Sequence, residues 1–321
     1  MAGKAPAKYK YKTLLVEFDK GVAILTLNRR AKRNAMNPAL GEEITDALER
    51  LRNDDRCNVL VITGAGESFC AGMDLKEFFI ELRDRPADYD RAHRVAVEWR
   101  GRTLRLFPKP TIAMVNGHCF GGAFTIVEGC DLAVAAEDAK MGLSEINFKM
   151  FPGGSVGKSM GNLLRPRDYM LYALTGRPMN GKIAADIGFI NYAVPRAELR
   201  ENVMALAHEI AAKDPSALLA TREIYRLSMD MEWDTAMNYA SALQAGHTQR
   251  QGNAFREEGI GDFLDKKYKP GLGGHESKPV AKQKLTAGGS AARTRFVDRR
   301  SSHRQNPDPA PYPPAASAEH H

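Results

Sequence analysis

Short apolar runs set between amphipathic segments constrain this chain more than any other feature. VAILTL at 22–27, VLVIT at 59–63, TIAMV at 111–115 and LAVAA at 132–136 are each five or six residues long. Runs of that length, rich in β-branched and aliphatic residues and closed by turn or charged residues, read as buried strands. TLLVEF at 13–18 precedes the first of them across Lys20-Gly21, so the two read as a β-hairpin. Between the strands the spacing turns helical. Leu40, Ile44, Ala47, Leu48 and Leu51 fall on one face of a helix predicted over 38–53. A long charged helical stretch runs from 76 to about 106, where Pro108 and Pro110 stop it, and another helix is predicted from 122 to about 130. Alternation of this kind implies an α/β layer structure with helices covering sheets.

From about residue 165 the strand signal fades. Segments 165–175, 181–187, 197–213, 216–229, 234–250 and 253–267 all read as helices, and several are apolar on more than one side, which predicts packing against another subunit. After Pro270 the sequence is dominated by Gly, Ser, Pro and Ala. The expected organisation is a flexible N-terminus at 1–10, an α/β core at 11–195, a helical C-terminal region at 196–270 and a disordered tail at 271–321.

Composition narrows the function classes. The 321 residues, 43% of them hydrophobic, suffice for one large domain or two small ones with a real core. No apolar run reaches the length of a membrane span. The opening MAGKAPAKYKYK is basic and has no apolar stretch behind its lysines, so a cytoplasmic location is expected. Cys57, Cys70, Cys119 and Cys130 show neither CxxC spacing nor a neighbouring His at ligand spacing, which predicts reduced buried thiols, no metal site and no structural disulfide. Of the net charge of +7, the segment 271–321 carries +4, from eight Lys/Arg against four Asp/Glu. That segment has only Phe296 and Tyr312 as aromatics and no nucleic-acid motif, so nucleic acid is not an expected partner.

Two glycine-containing turns carry the chemistry. One is Cys70-Ala71-Gly72-Met73-Asp74-Leu75 and the other is Asn116 to Phe124, NGHCFGGAF. Each follows a buried strand and opens a helix, where the first N–H groups lack an internal partner. Two such ends facing one point would form an oxyanion hole. Either turn alone would read as an ordinary strand-to-helix junction.

Taken together with Asn34-Ala35-Met36, Cys130-Asp131-Leu132-Ala133 and Gly142-Leu143-Ser144-Glu145-Ile146-Asn147, in this order and spacing, the turns resemble the crotonase (enoyl-CoA hydratase/isomerase) superfamily over about residues 10–272. MDLKEFF, PTIAMVNGHCFGGAF, and GLSEIN followed by PGG look most like the hydroxycinnamoyl-CoA (feruloyl-CoA) hydratase-lyases. The resemblance implies a crotonase-like spiral of ββα units with a helical C-terminal trimerisation region, and a homotrimer or hexamer. It implies an oxyanion hole from the backbone N–H of Met73 and of Gly122. It implies a coenzyme A pocket involving Lys32, Ala35, Ala71 and Leu75, with Ser144 and Phe148 flanking the thioester arm. Glu145 becomes the acid/base, in an otherwise apolar segment where desolvation would raise its pKa toward values useful for proton transfer. Coenzyme A enters as part of the substrate, and no metal or redox cofactor is implied.

The sequence also departs from this pattern. Simple enoyl-CoA hydratases use a second glutamate where this chain has Thr125, and the lyases carry a serine there. Thr125 offers a hydroxyl that donates and accepts but cannot serve as a carboxylate base. Glu128 lies one helical turn on and could share its face. The lyases place a phenol-binding tyrosine where this chain has Phe78. A second falls at Ser241, with Tyr239 two residues earlier and therefore on another side of the helix. Phe78 still favours a flat apolar acyl group. His118, between the glycines, has a noncatalytic family counterpart and is expected to be structural or to line the pocket. The expected activity is hydration of an aromatic enoyl-CoA followed by retro-aldol cleavage to an aromatic aldehyde and acetyl-CoA. The alternatives are a hydratase, dehydratase or isomerase without C–C cleavage and, more distantly, a noncatalytic crotonase-fold RNA-binding protein.

Overall fold

The computed structural model describes residues 9–252 and 254–267. The expectations for most of the N-terminus and for 271–321 lie outside the described residues.

Two sheets organise the chain. β1 (Leu14–Asp19) and β2 (Val22–Leu27) form the hairpin, turning through Lys20 and Gly21, both at positive φ, as a two-residue hairpin turn requires. α1 (Pro38–Arg52) follows. Its first turn is capped by Asn37, whose side chain accepts from Leu40 N at 2.9 Å, and Pro38 occupies the position where no N–H is needed. The five apolar residues predicted for its inner face are all fully buried. β3 (Val59–Gly64) then runs parallel to β2, and the chain turns at once into the short strand β4 (Ser68–Cys70).

A π-helical stretch, Leu75–Ile80, leads to α2 (Pro86–Glu98), which continues through a second π-helical stretch, Trp99–Leu104. The single long helix expected here is therefore interrupted at 81–85, because Pro86 starts a new helix. β5 (Thr111–Val115), β6 (His118–Phe120) and α3 (Phe124–Gly129) repeat the strand–strand–helix unit, as do β7 (Leu132–Ala136), β8 (Met141–Gly142) and α4 (Val156–Leu163). α5 (Pro166–Thr175), α6 (Gly181–Asp186) and β9 (Tyr192–Val194) follow, then α7 (Leu199–Ala211), α8 (Pro215–Ser228) and α9 (Trp233–Gln251).

The long strands form a six-stranded sheet in the order β1-β2-β3-β5-β7-β9, parallel except for the hairpin. The short strands form a second, parallel sheet, β4-β6-β8. This is the spiral of ββα units. At each corner the backbone nearly touches itself: a Cβ on Gly117 would lie 1.8 Å from Glu67 O. Only glycine fits there. The core fills the space between the large sheet and its helices, with Leu25, Val61, Val115, Val134 and Phe124 fully buried. α7, grouped by sequence with the C-terminal helices, packs on β2, β3, β5 and β7. α8 and α9 pack on each other and contain no fully buried residue.

Candidate active site

The small sheet positions the site. β4, β6 and β8 are adjacent and parallel, and the chain leaving their C-terminal ends supplies Met73, Gly122 and Glu145 in turn. Ligands of parallel α/β structures gather at such strand ends because the turns there converge.

Met73 sits in a two-residue parallel bridge with Met36. Met36 N donates to Gly72 O at 2.7 Å and Asp74 N donates to Met36 O at 2.8 Å. The bridge thus uses the groups on either side of Met73 and leaves its own N–H turned away. Among the described residues the N–H of neither Met73 nor Gly122 has a hydrogen-bond acceptor. The two turns touch. A Cβ on Gly72 would lie 2.7 Å from Phe120 O and 3.6 Å from Gly122 N, and one on Gly122 would lie 3.6 Å from Met73 Cγ. Gly72 (φ +90°) and Gly121 (φ +53°) both need a backbone that other residues resist.

Loop 30–36 is fastened to the first turn. Ala71 N donates to Arg33 O at 3.0 Å. Asn34, fully buried, accepts from Arg29 N at 2.9 Å and donates to Ala65 O at 3.0 Å and Ser68 O at 2.7 Å. Asp74 caps the stretch Leu75–Ile80, accepting from Lys76 N and Glu77 N, and pairs with Arg29 at 2.9 Å. Burial alone would raise the Asp74 carboxyl, but those amides and the Arg29 guanidinium outweigh it and hold it below the ordinary range.

Glu145 lies over the second turn. A Cβ on Gly121 would lie 3.2 Å from its Oε1. Its Oε2 is withdrawn from solvent and has no hydrogen-bond partner, and burial raises its pKa. Thr125 is buried and its hydroxyl donates to Gly122 O at 2.7 Å, within its own turn. Glu128 is spent elsewhere, bonded to Arg105 at 2.5 Å, and its pKa is raised because burial outweighs the cation. His118 lies 3.5 Å from Ser68 Oγ and stacks on Phe120.

These groups open onto one cavity of about 350 Å³, within the range of small-ligand pockets. Met73, Gly122, Thr125 and Glu145 line one side of it; Phe78, Phe79, Met150 and Phe151 make much of the rest apolar. α2 and its continuation supply a wall of residues at helical spacing: Tyr89, His93, Ala96, Val97 and Arg100. Tyr89 meets the Phe78 ring edge-on at 5.7 Å and stacks with His93 at 6.0 Å. Arg100 donates to Ala96 O at 2.7 Å and to Gly122 O at 3.0 Å.

Of the other residues expected at the site, Ala35 is buried, Ala71 is half-buried, and Lys32 and Leu75 are exposed, all on the loop 30–36 and the turn fastened to it. Ser144 is half-buried and Phe148 exposed, either side of Glu145. Tyr239 and Ser241 do not line the cavity. Tyr239 donates to Glu223 at 2.5 Å and Ser241 to Met237 O at 3.0 Å, both on the α8–α9 hairpin. Sequence reasoning missed Tyr89, His93 and Arg100. Their signal was the helical spacing of 89, 93, 96 and 100, hidden in a stretch that read as a solvated charged face.

Among the described residues no three His, Cys, Asp or Glu side chains are grouped to hold a metal, and no helix is long and apolar enough to cross a membrane. The four cysteines are buried free thiols.

The chain is similar to known proteins over most of its length. The family model described as enoyl-CoA hydratase/isomerase matches residues 17–271. A hydroxycinnamoyl-CoA hydratase-lyase of Pseudomonas fluorescens is 42% identical over 265 residues, covering 82% of this chain and 96% of its own length. A 2,3-dehydroadipyl-CoA hydratase of Escherichia coli (strain K12) is 32% identical, covering 79% and 96%. The crystal structure of an enoyl-CoA hydratase from Mycobacterium smegmatis superposes with a TM-score of 0.73 at 27% identity, covering 79% and 96%.

Proposed function

The chain belongs to the enoyl-CoA hydratase/isomerase family, and from that premise we propose that it hydrates an aryl-enoyl-CoA of the hydroxycinnamoyl type and cleaves the product to an aromatic aldehyde and acetyl-CoA. One observation carries the reading. The Glu145 carboxylate, whose Oε2 has no hydrogen-bond partner, opens onto the same cavity as the two backbone N–H groups without acceptors.

The thioester oxygen accepts from the N–H of Met73 and of Gly122. Those donors strengthen as charge develops on the oxygen. Glu145 takes a proton from water while the water oxygen bonds to Cβ, and the electron pair of the double bond moves into the thioester enolate. Glu145 then returns the proton to Cα. For cleavage, Glu145 removes the β-hydroxyl proton, the C=O of the aldehyde forms, the Cα–Cβ bond breaks, and its electron pair becomes the enolate of acetyl-CoA, which is protonated at Cα. One base serves both steps because it is regenerated in each.

The flat acyl group lies against Phe78, and Tyr89 and His93 supply polar groups beside it. The loop carrying Lys32 and Ala35, and the turn carrying Ala71 and Leu75, take the coenzyme A portion, with Ser144 and Phe148 beside the thioester arm. The 42% identity to a hydroxycinnamoyl-CoA hydratase-lyase supports the aromatic substrate.

A second reading, hydration without cleavage, draws on Thr125. Its hydroxyl is committed to Gly122 O, which leaves Glu145 as the one carboxylate lining the cavity. Incubation with feruloyl-CoA, cinnamoyl-CoA and crotonyl-CoA decides between them. Aldehyde and acetyl-CoA formed by the wild type and lost in Glu145→Ala are the expected products. Hydrated thioester without aldehyde selects the second reading.

A further inference from the structure

Arg100 is a charged group on the cavity wall that the reaction above does not use. It stands where α2 passes into the Trp99–Leu104 stretch, bonded only to the carbonyls of Ala96 and Gly122. It is half-buried and meets no carboxylate among the described residues. That isolation is exceptional in this molecule. Arg29, Arg50, Arg52, Arg105, Arg222 and Arg226, the other described arginines that are not exposed, each pair with an Asp or Glu. A cation drawn from water without an anion is costly, and burial pulls the Arg100 guanidinium down to about 10. Glu145, the acid lining the same cavity, is not within ion-pair distance of it. A cavity that keeps such a cation and gives it no protein anion leaves the anion to the ligand.

Gly122 locates that anion. A Cβ built on Gly122 would lie 2.5 Å from Arg100 Nη1, so the guanidinium flanks the residue whose free N–H faces the thioester oxygen. The reacting end of an acyl-CoA is neutral when bound. Charge appears there only as the enolate forms, and an interaction that strengthens at that moment lowers the barrier without tightening ground-state binding.

We propose that Arg100 is the counter-ion of the oxyanion site, stabilising the thioester enolate while Glu145 exchanges a proton with Cα. The proposal rests on the enolate chemistry of the proposed function and is independent of C–C cleavage. In the step concerned, the Glu145 carboxylate takes the Cα proton, the C–H electron pair becomes the enolate, and the negative charge settles on the thioester oxygen. Return of a solvent-exchanged deuteron from Glu145 restores the thioester.

The test uses the full-length chain in D2O with 3-phenylpropionyl-CoA, a saturated thioester that cannot be hydrated, and follows deuterium entry at Cα by mass. Arg100→Gln should lower kcat for exchange by about a hundred- to a thousand-fold, in the range seen when an oxyanion donor is removed. KM should stay within about threefold, and Arg100→Lys, which keeps the charge, should retain a clear part of the rate. Exchange at the wild-type rate in Arg100→Gln overturns the proposal. A loss confined to KM overturns it too, and would assign Arg100 to a ground-state anion on the acyl group. Equal loss in the Lys and Gln variants would make the residue a scaffold. No exchange by the wild type would instead overturn the enolate reading itself, and the proposal with it.

Discussion

The carboxylate of Glu145 lies against Gly121, with Oε2 bonded to no donor and its pKa raised by burial. Two consequences run in opposite directions. The acid limb of kcat/KM should fall above the 4.5 of an ordinary glutamate, and Glu145→Gln should lower kcat by about 10²- to 10⁴-fold. Stability should move the other way. A carboxyl whose folded pKa is raised keeps its proton in the folded state after the unfolded chain has lost it, so stability falls as pH rises through that interval. Glu145→Gln should abolish that fall, and melting temperatures of the two proteins between pH 4 and 8 check it (about four pH units span the window). Tyr89 acts on selectivity. Its hydroxyl has no partner among the described residues, and it stands about 16 Å along the helix from Arg100. Tyr89→Phe should therefore reduce the preference for feruloyl-CoA over cinnamoyl-CoA by about tenfold, the value of one hydrogen bond, with little change for cinnamoyl-CoA. Competition between the two thioesters measures it. Glu145 was legible in the sequence because its neighbours are apolar and its motif is distinctive. Arg100 was not, because a lone arginine in a charged helix looks solvated until its missing carboxylate is seen in three dimensions.

Between residue and molecule, the turn that carries Met73 is held from both ends. Met36 clamps it through the parallel bridge, and Asp74 caps the stretch behind it while pairing with Arg29. Asp74→Ala removes a cap and a buried partner of a cation, and should cost about 1–3 kcal/mol as well as part of kcat through displacement of the Met73 N–H. The Asp74 carboxyl is held below its ordinary value. Its contribution is therefore present above the unfolded pKa and is lost as pH falls through the folded one. The gap between the urea midpoints of variant and wild type should narrow from pH 7 to pH 3 (about four units apart, bracketing an ordinary aspartate). The long strands and α1 were readable because each is a contiguous apolar run or a clean helical stripe. β4, β6 and β8 were not: they are two or three residues long and exist only because three corners stack. β9 was missed for the same reason, since Tyr192–Val194 is a strand by virtue of pairing with β7.

At the scale of the whole molecule, α8, α9 and the turn between them expose one group of large apolar side chains among the described residues. Tyr225, Met229, Trp233 and Met237 are 64%, 58%, 75% and 54% exposed, more than a lone helical hairpin needs. The sequence expectation of a trimer or hexamer gives this face a use, and Tyr239 and Ser241, which miss the cavity of their own chain, stand on the same hairpin. Sedimentation at micromolar concentration should give the mass of three or six chains, and Trp233→Glu should shift it toward one. A monomeric wild type would remove the expectation.

The donors of the oxyanion site belong to the main chain of two touching turns. No codon change can delete a backbone N–H short of introducing proline, so the half of the chemistry that stabilises the enolate is shielded from ordinary mutation. The other half is written in exchangeable side chains: Thr125, Phe78, Tyr89. In hereditary terms the architecture separates what must be inherited from what may drift. A lineage can trade one acyl group or one bond cleavage for another, a substitution at a time, without ever passing through an ancestor that has lost the enolate.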